Sequence, residues 1–227
     1  MFMVIFEVCP RDGQWDAYLN QAKALKPELE AIDGFVDNVR YASLTRKGWL
    51  LSLSSWRDEK ALVRWRTRPR HHAVQEKSRE RIFADYHLRV GQITRDTRTP
   101  KGCELTEQRL DETQVGGTTL TLIDAPRPKE WPETKSADAC ADFLGLNREA
   151  TGLVAWDVFE AVLTPGDLIL LQSWKTEAGA QNFEDFMELP GDGRFRSVRV
   201  VRDYGMFDRR EAPQFYPDAE GRETVHA

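Results

Sequence analysis

The sequence predicts an α+β protein in which two tandem βαββαβ repeats pack sheet to sheet as a pseudo-dimeric α/β barrel. Three observations carry this expectation. A single offset of 118 superimposes separated segments of the two halves. Each half runs through β-rich and amphipathic stretches in the same order. Each half alone would leave one apolar sheet face uncovered, and a second sheet covers it.

The repeat is plainest where Gly48-Trp49-Leu50-Leu51-Ser52-Leu53-Ser54-Ser55-Trp56 aligns with Gly166-Asp167-Leu168-Ile169-Leu170-Leu171-Gln172-Ser173-Trp174. The same offset carries Gly34-Phe35-Val36 onto Gly152-Leu153-Val154, Trp65 onto Phe183, and Phe2 to Val8 onto Leu120 to Pro126. The first strand of each half is read from Met1 to Val8 and from Thr118 to Ile123, both rich in β-branched and apolar residues. A helix follows. In the first half Trp15, Tyr18, Leu19, Ala22 and Leu25 share one face, and Ser136 to Leu146 is the shorter counterpart. Hairpins come next: Phe35 to Ser43 with Trp49 to Trp56, and Leu153 to Leu163 with Leu168 to Trp174, each turning at a glycine. A second helix opens at Asp58 or Thr176, and the closing strands are Tyr86 to Arg95 and Ser197 to Tyr204. This order is that of the split βαβ, ferredoxin-like unit. The expected organisation is a first repeat over 1–98, a linker over 99–116, a second repeat over 117–210 and a tail over 211–227 that wraps over the surface or frays.

The halves part company after Trp65 and Phe183. His87 to Val90 aligns with Ser197 to Val200 at an offset of 110, a loss of about eight residues from the second half. The missing stretch bears His71, His72 and Gln75, and Leu189-Pro190-Gly191-Asp192-Gly193 stands in its place, unable to propagate a helix. A site built on that helix exists once. Specialisation of one half and trimming of a dispensable helix both account for the asymmetry.

Composition narrows the function. In 227 residues, 41% are hydrophobic and 30% charged, the balance of a packed protein, and the net charge is −5. A general nucleic-acid binder needs a cationic surplus that is lacking here. The apolar N-terminal run is too short for a membrane span, so neither membrane nor nucleic acid is an expected partner, and the cytoplasm is the expected location. Cys9, Cys103 and Cys140 show no metal-binding spacing, so reduced thiols are expected. The sequence contains no Ser-His-Asp spacing, zinc-protease motif, phosphate loop or dinucleotide fingerprint.

Gly34-Phe35, Ser55-Trp56, the helical Trp65-Arg66-x-x-Pro69-x-His71-x-x-x-Gln75 and the Val90 to Arg95 strand together resemble the antibiotic biosynthesis monooxygenase superfamily of dimeric α/β barrels, which also includes heme-degrading enzymes. The second repeat resembles it in pattern and in Ser173-Trp174, without the helix motif. The resemblance implies an oxygenase-type enzyme acting on a flat aromatic or tetrapyrrole substrate, with no cofactor or with heme. It equally admits a non-catalytic small-ligand-binding or stress-response barrel, or other heme-dependent chemistry. Flavin use and pathway are not written in the residues, and either a monomeric pseudo-dimer or a homodimer satisfies the sheet faces.

Candidate site residues follow, each with a structural alternative. His71 matches the family position and reads as a heme ligand or proton shuttle, or as a helix-start histidine beside Pro69. The resemblance implies one metal, heme iron at His71. Trp65, six residues earlier on the same helix, reads as an aromatic wall or as core. Strand period places Val36, Asn38 and Arg40 on one face, where Asn38 and Arg40 position oxygen or an oxyanion or pair with neighbours. Arg66 belongs to a cluster with Arg57, Arg64, Arg68 and Arg70 that suits heme propionates, or a solvated face paired with Asp58, Glu59 and Glu76. Trp56 and Trp174 recur in both halves and read as structural; His87 belongs to a strand and His226 to the tail.

Overall fold

The computed structural model describes residues 1–132 and 135–213. The tail expected over 211–227, including His226, falls largely outside the described residues. The strands are β1 (Phe2–Pro10), β2 (Phe35–Ser43), β3 (Leu50–Trp56), β4 (Phe83–Asp96), β5 (Thr119–Pro126), β6 (Leu153–Ala161), β7 (Asp167–Trp174) and β8 (Arg194–Gly205). They close into one antiparallel barrel in the order β1-β3-β2-β6-β7-β5-β8-β4. Within each half the order is that of the ferredoxin-like unit, and the halves join through β4–β8 and β2–β6. The pairs Gln92↔Arg199 and Ala42↔Glu160 join equivalent residues of the two halves, so a pseudo-twofold axis passes through both seams.

Local chemistry repeats between the halves. Gly34 and Gly152 adopt φ +90° and +89°, and their carbonyls accept 2.8 Å hydrogen bonds from the amides of Arg57 and Lys175. A bulge at Val36 recurs at Val154. The second helices are N-capped where the sequence places their starts: Asp58 accepts from the Ala61 amide and Thr176 from the Gly179 amide. Trp56 and Trp174 are fully buried, donating to Ser54 Oγ and Thr121 Oγ1.

The barrel interior is apolar at its centre, with Met1, Met3, Ile5, Leu120, Leu122 and Val198 in one cluster. The linker contributes to this core: Cys103 and Leu105 pack against the cluster, and the Met1 amine donates to the Glu104 carbonyl at 3.0 Å.

Four expectations are corrected. Because β1 pairs Phe2 with Trp56 and β5 pairs Thr119 with Trp174, the first strands correspond as Phe2 to Thr119, one residue from the sequence alignment. In a strand one residue exchanges the faces, so Leu120 and Leu122 lie inside the barrel opposite Met3 and Ile5, not under the helices. Likewise, Phe2↔Gln92 and Thr119↔Arg199 make Gln92 equivalent to Arg199, an offset of 107 rather than 110. The span from Trp174 to Arg199 is thus eleven residues shorter than that from Trp56 to Gln92, rather than eight. Next, the bulge at Val36 turns that side chain into the barrel, while Asn38 and Arg40 face outward under the helices. Finally, the second helix of the first half is two helices, α2 (Glu59–Arg66) and α3 (Pro69–Arg81), because Pro69 lacks an amide hydrogen, and the preceding Arg68 is extended. The remaining helices are α1 (Trp15–Glu30), α4 (Ala137–Phe143) and α5 (Glu177–Glu184).

Candidate functional site

Outside the barrel, between the sheet of the first repeat and its helices, lies a cavity of about 530 Å³. Its floor consists of two rows of directly paired residues crossing five strands. One row is Asn38, Ser54, Val4, Val90 and Arg202; the other is Arg40, Ser52, Phe6, Leu88 and Tyr204. The polar groups are therefore concentrated on β2 and β3, the middle of the floor is apolar, and the far edge, contributed by β8 of the other half, is polar again.

Three helices form the walls. The α1 face carries Tyr18, Ala22, Leu25 and Leu29 at spacings of three and four, and α3 presents His71, Val74, Gln75 and Ser78 at the same spacing. Ser78 donates to Gln21 at 2.7 Å and ties α3 to α1. From α2 come Leu62, Val63, Trp65 and Arg66. The linker closes one side with Arg109, whose amide and that of Gln108 both donate to the Gln92 side chain.

The helix break shapes the wall. Trp65 ends α2 and His71 begins α3, and their rings stack with centroids 4.2 Å apart and planes at 19°. They meet across a corner instead of along one helix face. The nitrogen Nδ1 of His71 lies 3.2 Å from the Trp65 carbonyl. A carbonyl only accepts, so Nδ1 carries the proton and Nε2 carries the lone pair. Burial lowers the His71 pKa to about 4, overcoming the opposing effect of the carbonyl bond, so the ring is neutral near pH 7.

Asn38, Arg40, Trp65, Arg66 and His71 are thus brought to one cavity. Asn38 donates to Ser52 Oγ and to the Leu53 carbonyl, both at 3.1 Å. His72, adjacent to His71, is exposed. Of the arginine cluster, Arg57 and Arg64 pair with Asp33, Arg57 also with Asp58, and Arg70 with Glu28, so these three form a solvated face whose acids, Asp58 apart, are not the expected Glu59 and Glu76. Arg66 differs and lines the cavity. His87 lies in β4 and its Nε2 is 2.6 Å from Asp203. Burial raises the thiol pKa of Cys9 and Cys140, the wrong direction for a nucleophile. Sequence reasoning missed Arg109, Arg202 and Tyr204, which reach the cavity through long-range pairing without a local motif.

The corresponding space in the second repeat is built differently. In place of Arg40, Ser52, Phe6 and Leu88 stand Val158, Leu170, Ile123 and Phe195, one buried apolar cluster with Phe183 and Leu144. Asn38 and Ser54 are matched by Trp156 and Gln172, and Gln172 is held by Thr121 at 3.2 Å. Among the described residues, no helix of the second repeat corresponds to α3.

The family model for antibiotic biosynthesis monooxygenases matches residues 1–77, the part of the chain that forms most of this cavity. A relative from Pyricularia oryzae, jasmonate monooxygenase ABM, is 51% identical over 225 residues, covering 96% of this chain and 100% of the relative. Among solved structures, an anthrone oxidase-like protein is 12% identical with a TM-score of 0.33, covering 94% of this chain and 96% of its own. A conserved protein of Methanosarcina mazei Go1 is 18% identical with a TM-score of 0.37, covering 39% of this chain and 88% of its own.

Proposed function

Given that this chain belongs to the antibiotic biosynthesis monooxygenase family, we propose that it is a monooxygenase that binds a small, largely apolar, ring-bearing substrate of the jasmonate kind in the cavity of the first repeat. The observation that carries the proposal is the cavity itself: an apolar-centred floor with polar ends, walled by three helices, in the half whose counterpart places a buried apolar cluster at the equivalent positions. The match to the Pyricularia oryzae jasmonate monooxygenase extends across the elements that build it and supports the same substrate class. The fused Trp65–His71 surface gives a ring a flat face to lie on, and the neutral His71 offers Nε2 as a proton acceptor beside it.

Heme is a second reading, favoured by that lone pair on Nε2. His71 would offer Nε2 to the iron, and Arg40 and Arg66 would offer guanidiniums to the propionates, so the residues fit. Bound heme would supply oxygen activation.

The experiment is incubation of the purified protein with jasmonic acid and a two-electron reductant, which takes the second oxygen atom to water, under labelled dioxygen, with products read by mass spectrometry, alongside Trp65→Ala and His71→Ala. A product carrying one labelled oxygen, lost in folded variants, is the expected result. Binding without product would make the protein a ligand carrier instead. A hemin titration of wild type and His71→Ala decides the cofactor: a saturable Soret band weakened in the variant supports heme, and its absence removes it.

A further inference from the structure

We infer that Arg40, with Ser52 and Asn38 beside it, is the anion-binding end of the cavity and holds the carboxylate of the substrate, so that the protein selects free acids over their esters. This rests on the reading of the cavity as the substrate site. Four arginines line the cavity, but Glu59 is the single acid among the lining residues. That acid is already engaged by Arg109 at 2.7 Å, and Arg109 and Arg202 share Asp111 outside. Arg40 forms no ion pair or side-chain hydrogen bond among the described residues, and its Nε is buried without a partner. A guanidinium nitrogen buried without a hydrogen-bond partner is costly, and a carboxylate satisfies the group with two parallel hydrogen bonds.

The surroundings orient the ligand. Ser52 faces Arg40 across β2–β3, and its Oγ accepts the Asn38 amide at 3.1 Å, which leaves its own hydroxyl hydrogen to donate to an anion. From Arg40 the row passes to Ser52, then to Phe6 and Leu88, so an acid anchored at β2 lays its apolar body across β1 and β4 under α1. The second repeat shows the same positions without the function: Val158 and Leu170 replace Arg40 and Ser52 in a closed apolar cluster. A cation whose purpose was to stabilise the hairpin would have no reason to be confined to the half with a cavity. Arg66 also lacks an acid among the described residues, but it sits at the last turn of α2, beside the exposed Thr67. The control position is Arg64 on the same helix, which pairs with the exposed Asp33 and stands apart from the lining residues.

The test is calorimetric titration of jasmonic acid and methyl jasmonate into wild type, Arg40→Gln, Arg40→Lys and Arg64→Gln, with hemin left out so that a propionate at the same guanidinium does not enter. Wild type is expected to bind the acid at least about tenfold more tightly than the ester. Arg40→Gln is expected to weaken the acid by about tenfold to a hundredfold and leave the ester unchanged, with Arg40→Lys in between and Arg64→Gln near wild type. Equal affinity for acid and ester in wild type, failure of the acid to bind, or an acid preference that survives in Arg40→Gln would overturn the assignment. The wild-type comparison needs no variant, so a folding defect cannot rescue or sink it. Acid-selective binding with no labelled product would refute the monooxygenase reading while leaving the anion site in place; oxygenation of acid and ester alike would do the reverse.

Discussion

The imidazole of His71 lies on the indole of Trp65 at 4.2 Å, although the end of one helix and the start of the next separate them. Because the Trp65 carbonyl also fixes the imidazole through Nδ1, the two residues behave as one rigid wall. Trp65→Ala removes the stacking surface and frees the imidazole. A loss of ligand affinity on the order of tenfold is expected, while Trp65→Phe keeps most of it, since a phenyl ring occupies the equivalent position at Phe183. Titration of jasmonic acid into both variants measures this; equal loss in the two would show that the ring contact is not what matters.

The same burial predicts a pH dependence of stability. The His71 pKa is about 4 in the fold and 6.5 in the unfolded chain. Between those values the unfolded state takes up a proton that the folded state refuses, so stability is full above pH 6.5 and declines as pH falls toward 4. Glu28 opposes the effect and His72 adds to it. With partial exposure discounted, the contribution between about pH 7.5 and about pH 5 is of order 1–2 kcal/mol. Urea unfolding at the two pH values should show that much less slope in His71→Gln; an unchanged slope would place the proton elsewhere.

What the sequence revealed and what it hid divides along physical lines. The β2–β3 and β6–β7 hairpins, their turn glycines and the caps Asp58 and Thr176 depend on neighbours in the chain, and they lie where periodicity and turn chemistry put them. The register of β5 was not legible because Thr119 and Thr121 are as buried as Leu120 and Leu122, so no alternation marks which face is inside. The helix break had a signal in Pro69, overridden by the helical spacing of Trp65 and His71. Asn38, Arg40, Trp65, Arg66 and His71 line one cavity, and each had a local signal in strand period, helical spacing or charge clustering, whereas Arg109, Arg202 and Tyr204 arrive by closure of the barrel, which no local pattern encodes.

The paired glycines give an internally controlled test of backbone strain. Gly34 and Gly152 share a positive φ that a side chain adopts at a cost of about 1–2 kcal/mol. A Cβ at Gly34 would also stand 2.7 Å from the Ala61 Cβ, whereas at Gly152 the nearest atom is the Gly179 Cα at 3.6 Å. Gly34→Ala therefore adds an overpacking cost of about 1–3 kcal/mol that Gly152→Ala escapes. Thermal melts of the two variants should separate clearly, with Gly34→Ala the lower; coincident melts would mean that the helix start at Ala61 shifts freely.

Inside the barrel, Glu7 and Arg89 pair with side chains 7% and 5% exposed, and the pseudo-twofold axis generates the matching pair Asp124 and Arg196. Glu7 also receives Arg46 at 2.5 Å, and Arg89 donates to Ser173 at 2.7 Å across the seam between the halves. Burial alone would raise the Glu7 pKa, but Arg89 and Arg46 more than offset it, and the carboxyl is held below its ordinary value of 4.5. Its contribution to stability is therefore present above pH 4.5 and lost as pH falls below it. The two single changes are unequal. Arg89→Met leaves Glu7 with Arg46, but Glu7→Leu leaves Arg89 with Ser173 and no acid among the described residues. Stranding that guanidinium should cost about 3–5 kcal/mol, and the double variant should recover part of it, because two apolar side chains strand no charge. A urea double-mutant cycle measures the coupling; additive losses would mean that water reaches Arg89 and the barrel end is open.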